Sequence, residues 1–504
     1  MLQLESAFEQ IASLFRQHAE WLYVSSDGTT HTLHRDEIDI AISHEKLVFS
    51  CWTEKGNRLW RIVSWDWNGQ SLALHASRKM GAELSLIELI PRTSAKSVTA
   101  TIRAARQVRC ERLGRLAGTL QAETVIERLG LSRGPKPGQP GRYAQILLRR
   151  KHERVAVTGP VVSTQPAAVD AFLSSTLLWF RRTSDRIKPL HVQQLWLIVS
   201  PELLKPLLYR VALLRSNLQN IIRVFAVDDD LTLLAEVTCP TKDELWKKKL
   251  ARFPPVAAAS ITEPTSAIIA EAPDAIDVVH ARHGETLRYF GLPFARVRSL
   301  LGTQRVWFGI DRSHRRLLEE ATWADWQNLL RDLREHRSAA AIDHRHAFYR
   351  AAPEAWLESL LRRDITMLDP GLIIAPLHAQ FRTARGAKLG IRPIDLLALR
   401  QDGRLVVIEL KVSEDREHVL QGADYWRRVE AHRRRGHITR AQLFGNRTIR
   451  DEAPLVYLVA PTLRVHPSFQ TLAHCISHEI EIYRFDINED WRSGVRVMRR
   501  LRVN

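Results

Sequence analysis

Residues Ile391–Arg435 read IRPIDLLALRQDGRLVVIELKVSEDREHVLQGADYWRRVEAHRRR. Within this stretch Ile394–Leu399 has the composition of a strand, Gln401-Asp402-Gly403 that of a hairpin turn, and Arg404–Lys411 that of the returning strand. Both strands are apolar on both faces for most of their length, as strands inside a covered sheet must be. Into them the sequence places three charges: Asp395, Glu409 and Lys411. Residues two apart on a strand share a face, so Glu409 and Lys411 point the same way. Asp395, near the start of the neighbouring strand, can join them. Buried charges are costly unless they are paired or hold a metal. Two carboxylates and a carbonyl are the hard oxygen ligands that Mg²⁺ prefers.

The order Pro393-Ile394-Asp395, then Glu409-Leu410-Lys411, resembles the signature of the PD-(D/E)xK nuclease superfamily, and both flanks extend the likeness. Upstream, PEAWLESLLRRD (Pro353–Asp364) is similar to the family's helix that carries a Glu to the active site. Glu354 and Glu358 lie one turn apart on one face, and both fit an E-x-x-L pattern, with Leu357 and Leu361. Either can be that carboxylate, with Glu354 slightly favoured. Gln380 stands where many relatives place a polar residue ahead of the Asp strand. Downstream, Gln421-Gly422-Ala423-Asp424-Tyr425 is similar to the Q-x-x-x-Y element of RecB-like members. Gln421, Tyr425, Arg428 and His432 follow helical spacing and share a face, as a DNA-contacting helix requires. From Gln421 to Arg450 there are eight Arg against two acids, Asp424 and Glu430, a supply of phosphate contacts.

The resemblance covers residues 347–504 and is to the NucS-like and RecB-like nucleases. It implies a restriction-endonuclease-like domain, a mixed central sheet flanked by helices, that hydrolyses phosphodiester bonds in DNA. It implies Mg²⁺ or Mn²⁺ as cofactor, with Asp395 and Glu409 as ligands and Glu354 or Glu358 as a further ligand, directly or through water. Lys411 would position or deprotonate the attacking water, or stabilise the transition state. Gln421, Tyr425, Arg427, Arg428 and Gln380 would meet the nucleic acid.

Outward from this centre the expected class is mixed α/β in several pieces. Residues 1–98 form an N-terminal β-rich module, in which TTHTLH, KLVFSCW, RLWRIVSW and SLALHAS alternate apolar and polar residues. Residues 99–252 form an α/β unit, 253–275 a Pro/Ala/Thr/Ser-rich linker, and 276–346 a helical connector. The two α/β units look like copies of each other. RYAQILLRRKHERVAVTGP set beside PIDLLALRQDGRLVVIELK puts Asp395 on Ala144, Glu409 on Thr158 and Lys411 on Pro160. Leu455–Pro461 and Ile482–Asn488 likewise fall on Leu195–Pro201 and Ile222–Asp228. Ancient duplication and chance likeness of short apolar strands both account for this. A true first copy has lost the acids and the lysine, and two such units in one chain would let a monomer imitate a dimer.

A length of 504 residues asks for several cores, and 45% hydrophobic content argues against disorder. The excess of 74 Lys and Arg over 56 Asp and Glu attracts polyanions without naming one. Cys51, Cys110, Cys239 and Cys475 are far apart, which gives no support to a zinc ribbon or a disulfide framework. No run of about 18 apolar residues occurs, so no membrane span is expected, and a reducing cytoplasm fits. Trp52, Trp60, Trp65 and Trp67 read more readily as core than as a base-stacking platform. The expected function is therefore a structure-selective DNA endonuclease serving repair, recombination or defence. The rivals are a catalytically silent recognition protein on the same fold and an RNA-cleaving member.

Overall fold

The computed structural model describes residues 2–504 apart from 26–27, 29, 54–55, 79–82, 93–94, 135–138, 152, 187–191, 229, 248–260, 282–283, 301–302, 312–313 and 382–392. It is a mixed α/β protein with four sheets. Two compact units divide the chain: Met1–Val211 with Asn217–Cys239, and Ala212–Ser216 with Pro240–Asn504. Among the described residues no helix is long and apolar enough to cross a membrane.

The first unit opens with a seven-stranded antiparallel sheet, its strands running from Glu20–Ser25 to Glu83–Pro91, and with the helix Leu2–Gln17. Trp60 is buried in its core, and Trp65 and Trp67 pack against it, while Trp52 is exposed. The four tryptophans therefore make no shared platform. After the helix Ala95–Thr119 comes a six-stranded sheet. In spatial order its strands are Val125–Arg133, Pro140–Arg150, Glu153–Pro160, Val192–Val199, Ile222–Val227 and Leu234–Val237. The successive pairings are antiparallel, antiparallel, parallel, parallel and antiparallel.

The second unit ends in a sheet with that same order and sense. Its strands are His378–Phe381, Ile394–Leu399, Leu405–Leu410, Leu455–Pro461, Ile482–Ile487 and Val497–Arg502. A long helix crosses between the third and fourth strands in each, Val169–Arg186 and His418–Arg434. The equal spacing expected for the two hairpins is off by one residue. Leu399 pairs with Leu405, but the matching Leu148 pairs with Val155, so Ala144 faces Gly159 rather than Thr158. With either alignment the first sheet offers no acid and no lysine at these strand ends.

Residues 276–346, expected as a helical connector, are instead mainly a sheet. Five antiparallel strands run Ile276–Ala281, Gly284–Tyr289, Leu292–Leu300, Thr303–Phe308 and Arg316–Leu317, and a single long helix, Trp323–His336, covers them. β-Branched and aromatic residues on the inner face, among them Val297, Val306, Phe294 and Phe308, build the core against Trp326. The expected linker 253–275 also contains structure, the helix Glu263–Ala270, which buries Ile268 in that core. Residues 253–260 of it lie outside the described residues.

Phe290 and Gly291 both take positive φ, +41° and +77°, the requirement of a tight hairpin turn. A Cβ on Gly291 would stand 2.0 Å from the Ala355 carbonyl oxygen, so only glycine lets this turn lie against the helix Pro353–Arg363. Phe290 then stacks on Trp356, ring centres 5.3 Å apart. These contacts fix the helix that carries Glu354.

Candidate active site

Strand Leu405–Leu410 is buried along its whole length, and Glu409 within it is only 2% exposed. Lys411, immediately past the strand, donates from Nζ to Glu409 Oε1 at 2.8 Å. Among the described residues no hydrogen-bond donor reaches the buried Glu409 Oε2, and the Asp395 carboxyl lies close enough to add to the rise of Glu409. Asp395 accepts through Oδ2 from the Leu410 N–H at 2.9 Å, which brings its carboxylate to the end of the neighbouring strand. His418, buried at the start of the crossing helix, donates from Nε2 to the Glu409 carbonyl oxygen at 3.2 Å. Asp415 lies 3.7 Å from Lys411 Nζ through Oδ2, while its Oδ1 accepts from the Glu417 N–H.

The electrostatics agree with this geometry. Burial, and then the nearby Asp395, push the Glu409 carboxyl well above the usual carboxylate range, against the pull of Lys411. Burial raises Glu354 as well. Lys411 opposes that rise, Asp395 and Asp415 reinforce it, and the Val412 amide favours the charged form. Burial alone would lower Lys411, but Glu409 and Glu354 outweigh it and hold the ammonium above the ordinary lysine value. An ammonium so held has no lone pair to accept a proton. Held as an ammonium by Glu409 and Glu354, Lys411 is suited to orienting a water or stabilising an anion.

The two candidate glutamates of helix Pro353–Arg363 part company here. Glu354 interacts with Lys411, Asp395 and Asp415. Glu358, expected as an alternative metal ligand, is 1% exposed and accepts from Arg288 Nη1 at 3.1 Å. Arg288 also binds Asp277, which Arg362 shares. Glu358 is therefore the counter-ion of a buried arginine, which removes it from the metal set. One helical turn is enough to move a side chain to a different neighbourhood.

The expected DNA-contacting face of His418–Arg434 is also corrected. Gln421, Tyr425, Arg428 and His432 do share a face, but that face is buried, with Gln421 only 1% exposed. Tyr425 packs in a core with Ile394, Leu397 and Val407. Arg427 and Arg428 both bind Asp424, and Arg428 lies over the Tyr425 ring at 4.4 Å. Arg433 and Arg434 share Glu430, and Arg433 also pairs with Asp451. Arg427, Arg428 and Arg433 are thus engaged in internal ion pairs, while Arg434, Arg440, Arg447 and Arg450 remain exposed. Tyr425 still borders the site, because Glu409 and Asp395 add to the effect of burial in raising its hydroxyl. Gln380 lies on the strand His378–Phe381, and its side chain is outside the described residues. His346 caps the turn Ala347–Arg350 by accepting from the Phe348 N–H, and His344 stacks on Tyr349.

Among the described residues no group of three or more His, Cys, Asp or Glu gathers as a metal-binding cluster. The residues nevertheless suit a hard divalent cation. Asp395 and Glu409 supply carboxylate oxygens, and the buried, donorless Glu409 Oε2 is an acceptor that an ion could satisfy.

No family model, curated protein or solved structure matches this chain.

Sequence reading missed a second feature. On the outer face of the five-stranded sheet Arg296 sits opposite both Thr286 and Trp307, and Arg298 sits opposite Arg305. Thr286, Pro293, Arg296, Arg298, Trp307 and Arg315 line a shallow cavity of about 420 Å³. Its lining contains three arginines, one tryptophan and no acid. Period-two spacing of Arg296 and Arg298 was the available signal, and the helical reading of the segment hid it.

Proposed function

We propose that the chain is a Mg²⁺- or Mn²⁺-dependent deoxyribonuclease of the PD-(D/E)xK type, with residues 347–504 as its restriction-endonuclease-like domain. The observation that carries this reading is the buried Glu409–Lys411 pair beside Asp395, at the end of a buried apolar strand pair inside the sheet, with Glu354 coupled to the lysine. Burying such charges is costly, and a bound cation is one way to offset that cost. The bound cation would supply charge neutralisation at a phosphodiester and an acidified water. Asp395 and Glu409 would hold it, and Glu354 would assist directly or through water. Lys411 would orient the water and stabilise charge on the phosphoryl oxygens. Gln421 and Tyr425 would fix the shape of the site from below rather than grip the nucleic acid.

The arginine–tryptophan face of the five-stranded sheet supports DNA as partner. Guanidinium forks match phosphate oxygens, and an indole offers a stacking surface for a base. The first rival, a silent recognition protein, draws support from Lys411 standing on Glu409 and from the absence of a three-carboxylate cluster among the described residues. A cleavage gel separates the readings. Labelled single-stranded, duplex and branched DNA, with an RNA arm, are incubated with Mg²⁺, Mn²⁺ or EDTA. Cleavage that needs metal and disappears in Asp395→Ala and Lys411→Ala is the expected result. Tight DNA binding without cleavage would move the conclusion to the silent protein.

A further inference from the structure

Lys411 has two carboxylates in reach and is bonded to only one of them. Its Nζ donates to Glu409 Oε1 at 2.8 Å, and Asp415 Oδ2 waits at 3.7 Å. The ammonium therefore stands on one oxygen of the carboxylate whose other oxygen would hold a divalent cation. A cation arriving beside Glu409 would face this positive charge at close range, and the repulsion must be relieved by moving the lysine. Asp415 is well placed to receive it. The Glu417 N–H at 2.7 Å holds Oδ1 of Asp415 at the start of the crossing helix, which leaves Oδ2 turned to Lys411.

We propose that Asp415 is a positioning residue that takes over Lys411 from Glu409 when a divalent cation binds. This rests on the reading that Asp395 and Glu409 hold such a cation. Asp415 belongs to none of the motif positions that led to the site. Its role would be to keep the ammonium near the reaction centre while relieving its repulsion of a cation held by Glu409, so that one lysine serves first as a stand-in cation and then as the group beside the substrate phosphate.

The test is Mn²⁺ binding to the full-length protein, measured by titration calorimetry without substrate. Asp415→Asn keeps the acceptor for the Glu417 N–H but removes the charge that receives the lysine. It should weaken Mn²⁺ binding about tenfold, and Asp415→Glu should recover most of the loss. The decisive arm is a double-mutant cycle with Lys411→Met, which leaves no ammonium to relocate. In that background Asp415→Asn should change Mn²⁺ affinity less than twofold. Equal affinity of wild type and Asp415→Asn would overturn the proposal while leaving the metal site standing. A tenfold loss persisting in the Lys411→Met background would overturn it too, by making Asp415 a ligand. No Mn²⁺ binding by the wild type would overturn the metal reading itself.

Discussion

Replacing Glu358 by alanine should destabilise the protein without abolishing cleavage, whereas Glu354→Gln should do the reverse. Arg288 is buried, and its three short contacts go to Glu358 and Asp277. Burial would lower its pKa, but Asp277 and Glu358 hold it up, so the guanidinium stays charged when one acid is removed. Breaking a buried pair costs about 3–5 kcal/mol. Arg288 keeps Asp277, which places the cost near the lower end, about 3 kcal/mol. At about 2–4 °C per kcal/mol for a unit of this size, the transition of the second unit should fall by about 6–12 °C. Glu354 behaves oppositely. Burial raises its pKa, so folding disfavours its charged form relative to the unfolded chain. The neutral amide should leave the melting temperature unchanged or slightly higher while cleavage falls at least a hundredfold (~2.7 kcal/mol). Calorimetric melting and a cleavage assay at 20 °C, well below either transition, read the two effects separately. A Glu358→Ala protein that melts normally, or that is folded at 20 °C and inactive, would refute the division of labour between these two residues.

His418 should contribute a loss of stability in acid, opposite in sign to the contributions of the raised Glu409 and Glu354 carboxyls and isolated by comparing wild type with His418→Gln. Burial lowers its pKa from 6.5 to about 4, so the unfolded chain binds the proton first and stability falls as pH drops through that window. The loss approaches about 3 kcal/mol by pH 4, and His418→Gln should flatten the profile in denaturant titrations between pH 7 and 4. Arg298→Ala should weaken DNA binding and reduce the slope of log affinity against log salt by about 1, with melting unchanged; an unaltered slope would remove this face from the interface. Trp356→Ala opens a cavity among Phe290, Tyr349 and Trp491 and should cost about 3–5 kcal/mol, read by urea unfolding.

The hairpin around Asp402-Gly403 was legible because its turn chemistry, apolar strands and embedded charges all point one way. The same holds for the alternating strands near the N-terminus. What escaped was decided by tertiary contacts. ETLRYFGLPFARVRSLL (Glu285–Leu301) carries arginines at positions that suit a helix or a strand, and only the turn at Phe290-Gly291 breaks the tie. Glu354 and Glu358 fit one motif equally, and Arg288, distant in sequence, chooses between them. The burial of Gln421 and Arg428 depends on Asp424 and on the sheet beneath, neither of which helical spacing can report. The gathering of Asp395, Glu409 and Lys411 was local; the assignment of their neighbours was not.

Two sheets share one strand order, yet acids and lysine stand at the strand ends of only one of them; at the matching place in the other the chain runs Thr158-Gly159-Pro160. Proline there offers neither a charged group nor an amide hydrogen. For the reading proposed here this has a practical consequence. A chain with one equipped centre opens one strand per visit, so the product to look for on a supercoiled plasmid is the relaxed circle. The linear form would then need a second encounter or a second chain, and its yield should rise with protein concentration.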